Sequence, residues 1–222
     1  MRKVLNTRSR FDQKSDFSSK IKSGHRLAAA GRSGHLLRKV LGAYGVLEGP
    51  ILRSDGSHGV RSAFLERFGC SYSVSYTGRE AVIAIAGGGA VGIDIETVGG
   101  LPSKQPVMDH FFSPAERCEL DNRTAVERET LFYSFWTAKE ALAKATGDGL
   151  AADFSQMTCR KHLGGISLGR GKPPYTPARW SLRSFEILDA IVGTIAQDRP
   201  IHAVHYWSMP LSEGKVLDTG TR

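Results

Sequence analysis

The stretch Ala90-Val91-Gly92-Ile93-Asp94-Ile95-Glu96 constrains this chain more than any other. Read with a period of two, Val91, Ile93 and Ile95 share one face of a strand, and Gly92, Asp94 and Glu96 share the other. The first face is apolar and reads as buried. The second sets two carboxylates side by side above a glycine. Like charges at that spacing repel, and in a partly buried strand each also loses hydration. Something positive belongs between them, either a bound cation or the Lys and Arg side chains of an ordinary structural pairing.

A second segment, Phe132 to Ala145, reads as an amphipathic helix. Phe135, Ala138 and Leu142 recur at helical spacing and make an apolar stripe. Trp136, Glu140 and Lys144 recur every fourth residue and share another face. Glu140 and Lys144 are equally well spaced for a plain helix ion pair, so the segment alone leaves both readings open.

Together the two segments resemble the paired signature of the 4'-phosphopantetheinyl transferases, and specifically the larger, surfactin-synthetase-type class. The resemblance is carried by Val91 to Glu96 and by Trp136-x-x-Lys139-Glu140-Ala141-x-x-Lys144. Between them, Phe111-Phe112-Ser113-Pro114-Ala115-Glu116 resembles the family's F-F-S-x-x-E turn, and upstream Ser73 to Arg79 resembles its S-H-S-G-R stretch. The resemblance covers the middle third of the chain. It implies an α+β fold of two similar halves about a pseudo-twofold axis, with the active site at their interface. The Gly/Pro-rich linker from Thr97 to Pro106 places the boundary, giving halves of 1–97 and 98–222.

The implied reaction moves the phosphopantetheine arm of coenzyme A to a serine of an acyl or peptidyl carrier protein and releases 3',5'-ADP. Asp94, Glu96 and Glu140 are then the metal ligands. Their oxygen-only donor set suits Mg²⁺, with Mn²⁺ as a substitute. Lys144 is expected on the coenzyme's pyrophosphate. Lys139 points to a neighbouring face, toward another phosphate or solvent. Glu140 is the candidate base for the serine proton and Glu116 the alternative. Glu116 has a competing structural reading, because Ser113, Pro114 and Glu116 fit the N-cap, N1 and N3 positions of a capping box. Arg32, Ser75, Tyr76, Arg79, Lys139 and Lys144 are the expected coenzyme contacts.

Two departures from the family pattern stand out. Where the family has a histidine for the coenzyme's 3'-phosphate, this chain has Tyr76, which donates a hydrogen bond but carries no positive charge at neutral pH. The family's G-K-P lysine element is absent, and Arg53, His58 and Arg61 are the nearby cations.

Composition agrees with anionic partners. Lys and Arg number 30 against 22 Asp and Glu, a net charge of +8, and the sequence pI is about 9.6. A polyphosphate coenzyme with an acidic carrier protein accounts for the surplus. Nucleic acid is the rival, but no helix-turn-helix, zinc-finger or RNA-recognition signature accompanies the charge. A catalytically degenerate relative that binds coenzyme or carrier without turnover is the other. Cys70, Cys118 and Cys159 are scattered and form neither a metal motif nor a disulfide framework, which indicates a reducing cytoplasm. No apolar run approaches the ~20 residues of a membrane helix, and the charged N-terminus lacks an apolar signal core. A monomer is expected.

The remaining elements read as follows. Residues 1 to about 24 are polar and read as partly disordered, and a first helix spans His25 to Leu47 with Arg32 and Arg38 on it. Two strands flank Thr77-Gly78, and Gly87-Gly88-Gly89 reads as a hairpin turn into the Asp94 strand. Helices follow from Pro114 to about Asn122 and from Arg128 to Thr146. Strands are expected over Trp180 to Leu188 and Ile201 to Trp207, with Leu188 to Ile195 open between strand and helix and a loose tail from about 210.

Overall fold

The computed structural model describes residues 69–208 apart from 79, 102 and 189, together with the strand 217–221. The expected first helix with Arg32 and Arg38, the loop carrying Arg53, His58 and Arg61, and Arg79 all lie outside the described residues.

β1 (Cys70–Thr77) and β2 (Glu80–Gly87) form the expected antiparallel hairpin, with Thr77 opposite Glu80. Gly78 turns it at φ +55°, where a Cβ would be strained. The second expected hairpin does not form. β3 (Val91–Thr97) leaves β2 and pairs instead with β7 (Ile191–Gln197), antiparallel, with Asp94 opposite Thr194. The glycine turn is taken up by other partners. Ala90 N donates to Asp198 Oδ1 at 2.8 Å, and Asp198 N donates back to Ala90 O at 3.2 Å. Gly89 sits at φ +71°, where a Cβ would be strained, and that Cβ would also point into the same Asp198 carboxylate.

Three helices follow: α1 (Gln105–Phe111), α2 (Pro114–Asp121) and α3 (Ala125–Thr146). α1 is a helix inside what the sequence reads as linker and turn. α2 starts at the Ser113 cap, and both reciprocal bonds of the Ser113–Glu116 capping box are present. α3 starts at a second box, Thr124 with Glu127, and stops at Gly147, whose φ of +82° is left-handed.

α3 is not amphipathic as expected. From Leu131 to Thr146 every residue is buried except Ser134 and Lys144, which are half-buried. β3 and β7 pack on one flank. On another, Trp136 meets Phe111 at 5.4 Å and Phe154 at 5.9 Å between ring centroids, and Phe112 stacks on Phe132 at 5.2 Å. A helix covered on all sides has no solvent face to pattern. That is why aromatic residues, from Phe132 to Trp136, and then alanines, from Ala138 to Ala145, occupy several of its faces.

β4 (Thr158–His162) and β5 (Gly165–Arg170) form a second hairpin, and β6 (Ser181–Ile187) joins β7 to complete the three-stranded sheet β3-β7-β6. The ambiguous stretch after Leu188 is therefore strand. The expected strand over Ile201 to Trp207 shortens to β8 (His205–Ser208), paired with β9 (Leu217–Thr221). The fold is thus mixed helix and sheet, with β3 of the expected first half laddered onto β7 of the second. Residues 1–68, most of the expected first half, lie outside the described residues. No described helix is long and apolar enough to cross a membrane.

Gly92 sets the distance between β3 and α3. A Cβ there would lie 1.9 Å from Ala141 O and 2.7 Å from Ala145 N, both helix backbone that cannot rotate away. Gly92→Ala must push the helix off the strand. Overpacking of this kind costs roughly 1–3 kcal/mol, and the backbone contact puts the expectation near the top of that range, read as a lowered urea midpoint. A variant as stable as the parent would show that the helix sits less tightly than described.

Candidate active site

Because Gly92 lets α3 approach, Asp94, two residues along on the same face, meets that helix too. Its carboxylate is almost fully buried, and Lys144 from α3 sits against it, with Nζ 2.6 Å from Asp94 Oδ1. The ammonium also donates to Ser75 Oγ at 3.0 Å and to Ile93 O at 3.1 Å, which uses its three hydrogens. Ser75 closes the triangle by donating to Asp94 Oδ1 at 2.7 Å. The positive partner that the strand pattern demands is, in this structure, Lys144. Its side chain keeps 19% exposure, so it borders solvent while Asp94 does not.

Glu140 lies one turn before Lys144 on α3 and is buried; Glu96, two residues beyond Asp94, is half-buried. Helical spacing places Glu140 on the flank that carries Lys144. Among the described residues, no group of three His, Cys, Asp or Glu side chains stands together as a metal cluster. The donor chemistry nevertheless suits a hard divalent cation. Asp94 Oδ2 is buried and takes no hydrogen bond among the described residues, and the neighbouring candidate ligands Glu96 and Glu140 offer only oxygen. A buried carboxylate oxygen without a donor is costly unless something else satisfies it.

Lys139 and Glu116 belong to a different place. Both side chains are fully buried, 2.8 Å apart. Lys139 Nζ gives its other hydrogens to Phe154 O and Met157 O, each at 2.7 Å. Glu116 Oε2 also accepts from Ser113 N at 2.7 Å, and Oε1 from Cys159 N at 2.7 Å. Every donor and both oxygens are committed. The pair pins α2's start to α3, to the 3₁₀ turn Phe154–Gln156 and to β4. The expectation of Lys139 on a phosphate or in solvent is corrected by this burial, and Glu116 serves its capping box plus a buried ion pair. The sequence signal was present: Phe135, Trp136, Ala138, Leu142 and Ala143 leave Lys139 no solvated face. A lysine inside such a run needs a carboxylate. Cys159, beside this pair, is buried, and loss of hydration drives its thiol pKa well up, with the Glu116 charge adding to it.

Of the expected coenzyme contacts, Ser75 is brought to Asp94 and Lys144, whereas Tyr76, the next residue on β1, faces outward and is exposed. Arg32 and Arg79 lie outside the described residues.

A family model described as the 4'-phosphopantetheinyl transferase superfamily matches residues 90–201. The chain belongs to that superfamily. The matched span takes in Asp94, Glu96, Glu116, Lys139, Glu140 and Lys144 and stops short of β1 and β2. Among individual phosphopantetheinyl transferases, HetI of Nostoc sp. is 32% identical over 126 residues, 55% of this chain and 52% of its own length. A putative 4'-phosphopantetheinyl transferase of Synechocystis sp. is 33% identical over 92 residues, 41% of this chain and 37% of its own. The psf-1 transferase of Bacillus pumilus is 33% identical over 89 residues, 40% and 37%. The matches thus span about a third to a half of these relatives. A crystal structure of holo-[acyl-carrier-protein] synthase from Neisseria meningitidis aligns at a TM-score of 0.40 and 18% identity, covering 50% of this chain and 98% of that one.

Two features of this chain were not readable from the motifs. One is the direct Asp94–Lys144 contact, because the motif lists them on separate elements. The other is the clip at the end of α3, where the Tyr175 hydroxyl bonds both Thr146 Oγ1 and Asp148 Oδ2. Nothing in the sequence around Tyr175 announces that contact.

Proposed function

We propose that this chain transfers the 4'-phosphopantetheine arm of coenzyme A to a serine hydroxyl of an acidic apo carrier protein, giving holo carrier protein and 3',5'-ADP. The observation that supports it most is the Asp94–Lys144 contact, with Glu140 one turn away, inside the span that matches the superfamily. The serine oxygen forms its bond to the phosphorus that bears the pantetheine. The bond from that phosphorus to the bridging oxygen breaks, and 3',5'-ADP leaves. Asp94, Glu96 and Glu140 are the residues that would hold Mg²⁺ or Mn²⁺. When bound there, the cation neutralises charge on the pyrophosphate.

Lys144 stabilises the leaving oxygen by exchanging one of its three present bonds for the phosphate, which its partial exposure permits. Glu140 takes the serine proton in preference to Glu116, both of whose oxygens are engaged in structure. Tyr76 is exposed on β1, next to Ser75 in the chain, and a hydrogen bond from its phenol to the 3'-phosphate, helped by Arg32 or Arg79, would replace the family histidine. The surfactin-synthetase-type arrangement, with two halves closing on the site, and action as a cytoplasmic monomer complete the reading. The charge surplus suits an acidic carrier.

The test is incubation with an apo carrier protein, coenzyme A and Mg²⁺, followed by intact mass. A mass gain of one phosphopantetheine per carrier, abolished by chelation, is expected. Lys144→Ala should lower turnover by ~10²–10³-fold, the usual cost of one transition-state charge contact, and should also lower stability, because it leaves the buried Asp94 carboxylate without its cation. Normal turnover with a lowered Tm would reduce Lys144 to a structural partner of Asp94.

A further inference from the structure

We infer that Ser75 is a positioning residue for this reaction: its hydroxyl fixes the Asp94 carboxylate and the Lys144 ammonium against each other and does not contact the coenzyme. The inference rests on the transferase reading for what the fixed groups do. β1 runs beside β3 without sharing a backbone ladder: among the described residues β1 pairs only with β2, and β3 only with β7. Side-chain hydroxyls take the place of carbonyls along that edge. Ile93 N donates to Ser73 Oγ at 3.1 Å, Ile95 N to Ser75 Oγ at 3.3 Å, and Thr97 N to Thr77 Oγ1 at 3.1 Å. Three hydroxyls at alternate positions match three alternate N–H groups, so the register of β1 on β3 is fixed. A slip by one residue would present Val74 and Tyr76, which have no short hydroxyl to offer.

Of these rungs, Ser75 alone is bonded to charged groups. Its proton goes to Asp94 Oδ1, and its oxygen accepts from Lys144 Nζ and from Ile95 N. A serine hydroxyl has one proton and two acceptor sites, so Ser75 is saturated. Its burial leaves it 3% exposed. No capacity remains for a phosphate oxygen unless the Asp94–Lys144 geometry is given up.

Ser73 supplies the control, because Ser73→Ala removes one rung without touching Asp94 or Lys144. Ser75→Ala is expected to lower kcat by roughly 10–100-fold, as loss of a partner behind a ligand typically does, with KM for coenzyme A unchanged. Ser73→Ala should lose similar thermal stability and keep its kcat. Acetylation of Lys144 by acetic anhydride, followed by peptide mass spectrometry, should be several-fold faster in Ser75→Ala and unchanged in Ser73→Ala. Should Ser75→Ala not fold, Ser75→Cys, similar in size with a weaker donor, is expected to shift kcat and Lys144 labelling in the same directions. A raised KM at constant kcat would make Ser75 a coenzyme contact and overturn the inference. So would equal behaviour of the Ser75 and Ser73 variants, or Lys144 labelling that ignores Ser75. A wild-type protein that transfers nothing would instead overturn the transferase reading, and the labelling would still decide whether Ser75 holds Lys144.

Discussion

Lys139→Met is expected to remove about 3–5 kcal/mol of stability, the usual consequence of deleting one partner of a fully buried ion pair. The substitution keeps the length of the side chain but leaves the Glu116 charge in the interior without its cation, and Phe154 O and Met157 O without their donor. Glu116→Ala should cost at least as much, since Ser113 N and Cys159 N then lose their acceptor as well. The two effects share one network, so Lys139→Met with Glu116→Ala should lose less than the sum of the single changes, with a coupling of ~0.5–3 kcal/mol. Urea unfolding of the four proteins measures this. If Lys139→Met unfolds within about 1 kcal/mol of the parent and instead raises KM for coenzyme A, Lys139 is a phosphate contact and its burial has been misjudged.

That network marks where sequence reading stops. Period two in Val91–Glu96 assigned the faces of β3 correctly, because a strand's side chains alternate whatever packs on them. Gly92, Asp94 and Thr194, opposite Asp94, do face α3: a Cβ on Gly92 would strike the helix backbone, Asp94 meets Lys144, and Thr194 Oγ1 bonds Thr137 Oγ1 at 3.1 Å. The Ser113–Glu116 cap was equally legible, since a capping box is local chemistry. Long-range facts were not. Whether Gly87–Gly89 turns a hairpin depends on which strand competes for β3, and the winner, β7, lies a hundred residues downstream. Helical spacing put Lys139 and Lys144 on different faces of α3. It could not tell that one face meets Glu116 in the core and the other meets Asp94 at the edge of solvent. Ser75 was visible as part of a motif, but its bonds join β1, β3 and α3, a convergence no single segment encodes.

Asp94→Asn should reduce transfer by more than ~10³-fold, beyond the ~10²–10³-fold typical of one electrostatic contact, because a single charge serves two functions there. Asp94 anchors the Lys144 ammonium through Oδ1, and its buried Oδ2 is the oxygen best placed by chemistry to complete a cation's shell. The amide keeps the shape and still accepts from Ser75 through one oxygen. It cannot offer a charged pair of oxygens, and its NH₂ carries hydrogens where the carboxylate had lone pairs. The fold should survive, since Lys144 borders solvent and can be hydrated once its partner is neutral. Mn²⁺ binding followed by electron paramagnetic resonance, without coenzyme, separates the two functions. Weakened Mn²⁺ binding together with lost transfer supports Asp94 as a ligand, whereas unchanged Mn²⁺ binding with lost transfer confines it to holding Lys144. Transfer at the parent rate in excess Mg²⁺ would remove Asp94 from the reaction altogether, and with it the reading of β3 as the strand on which the site is built.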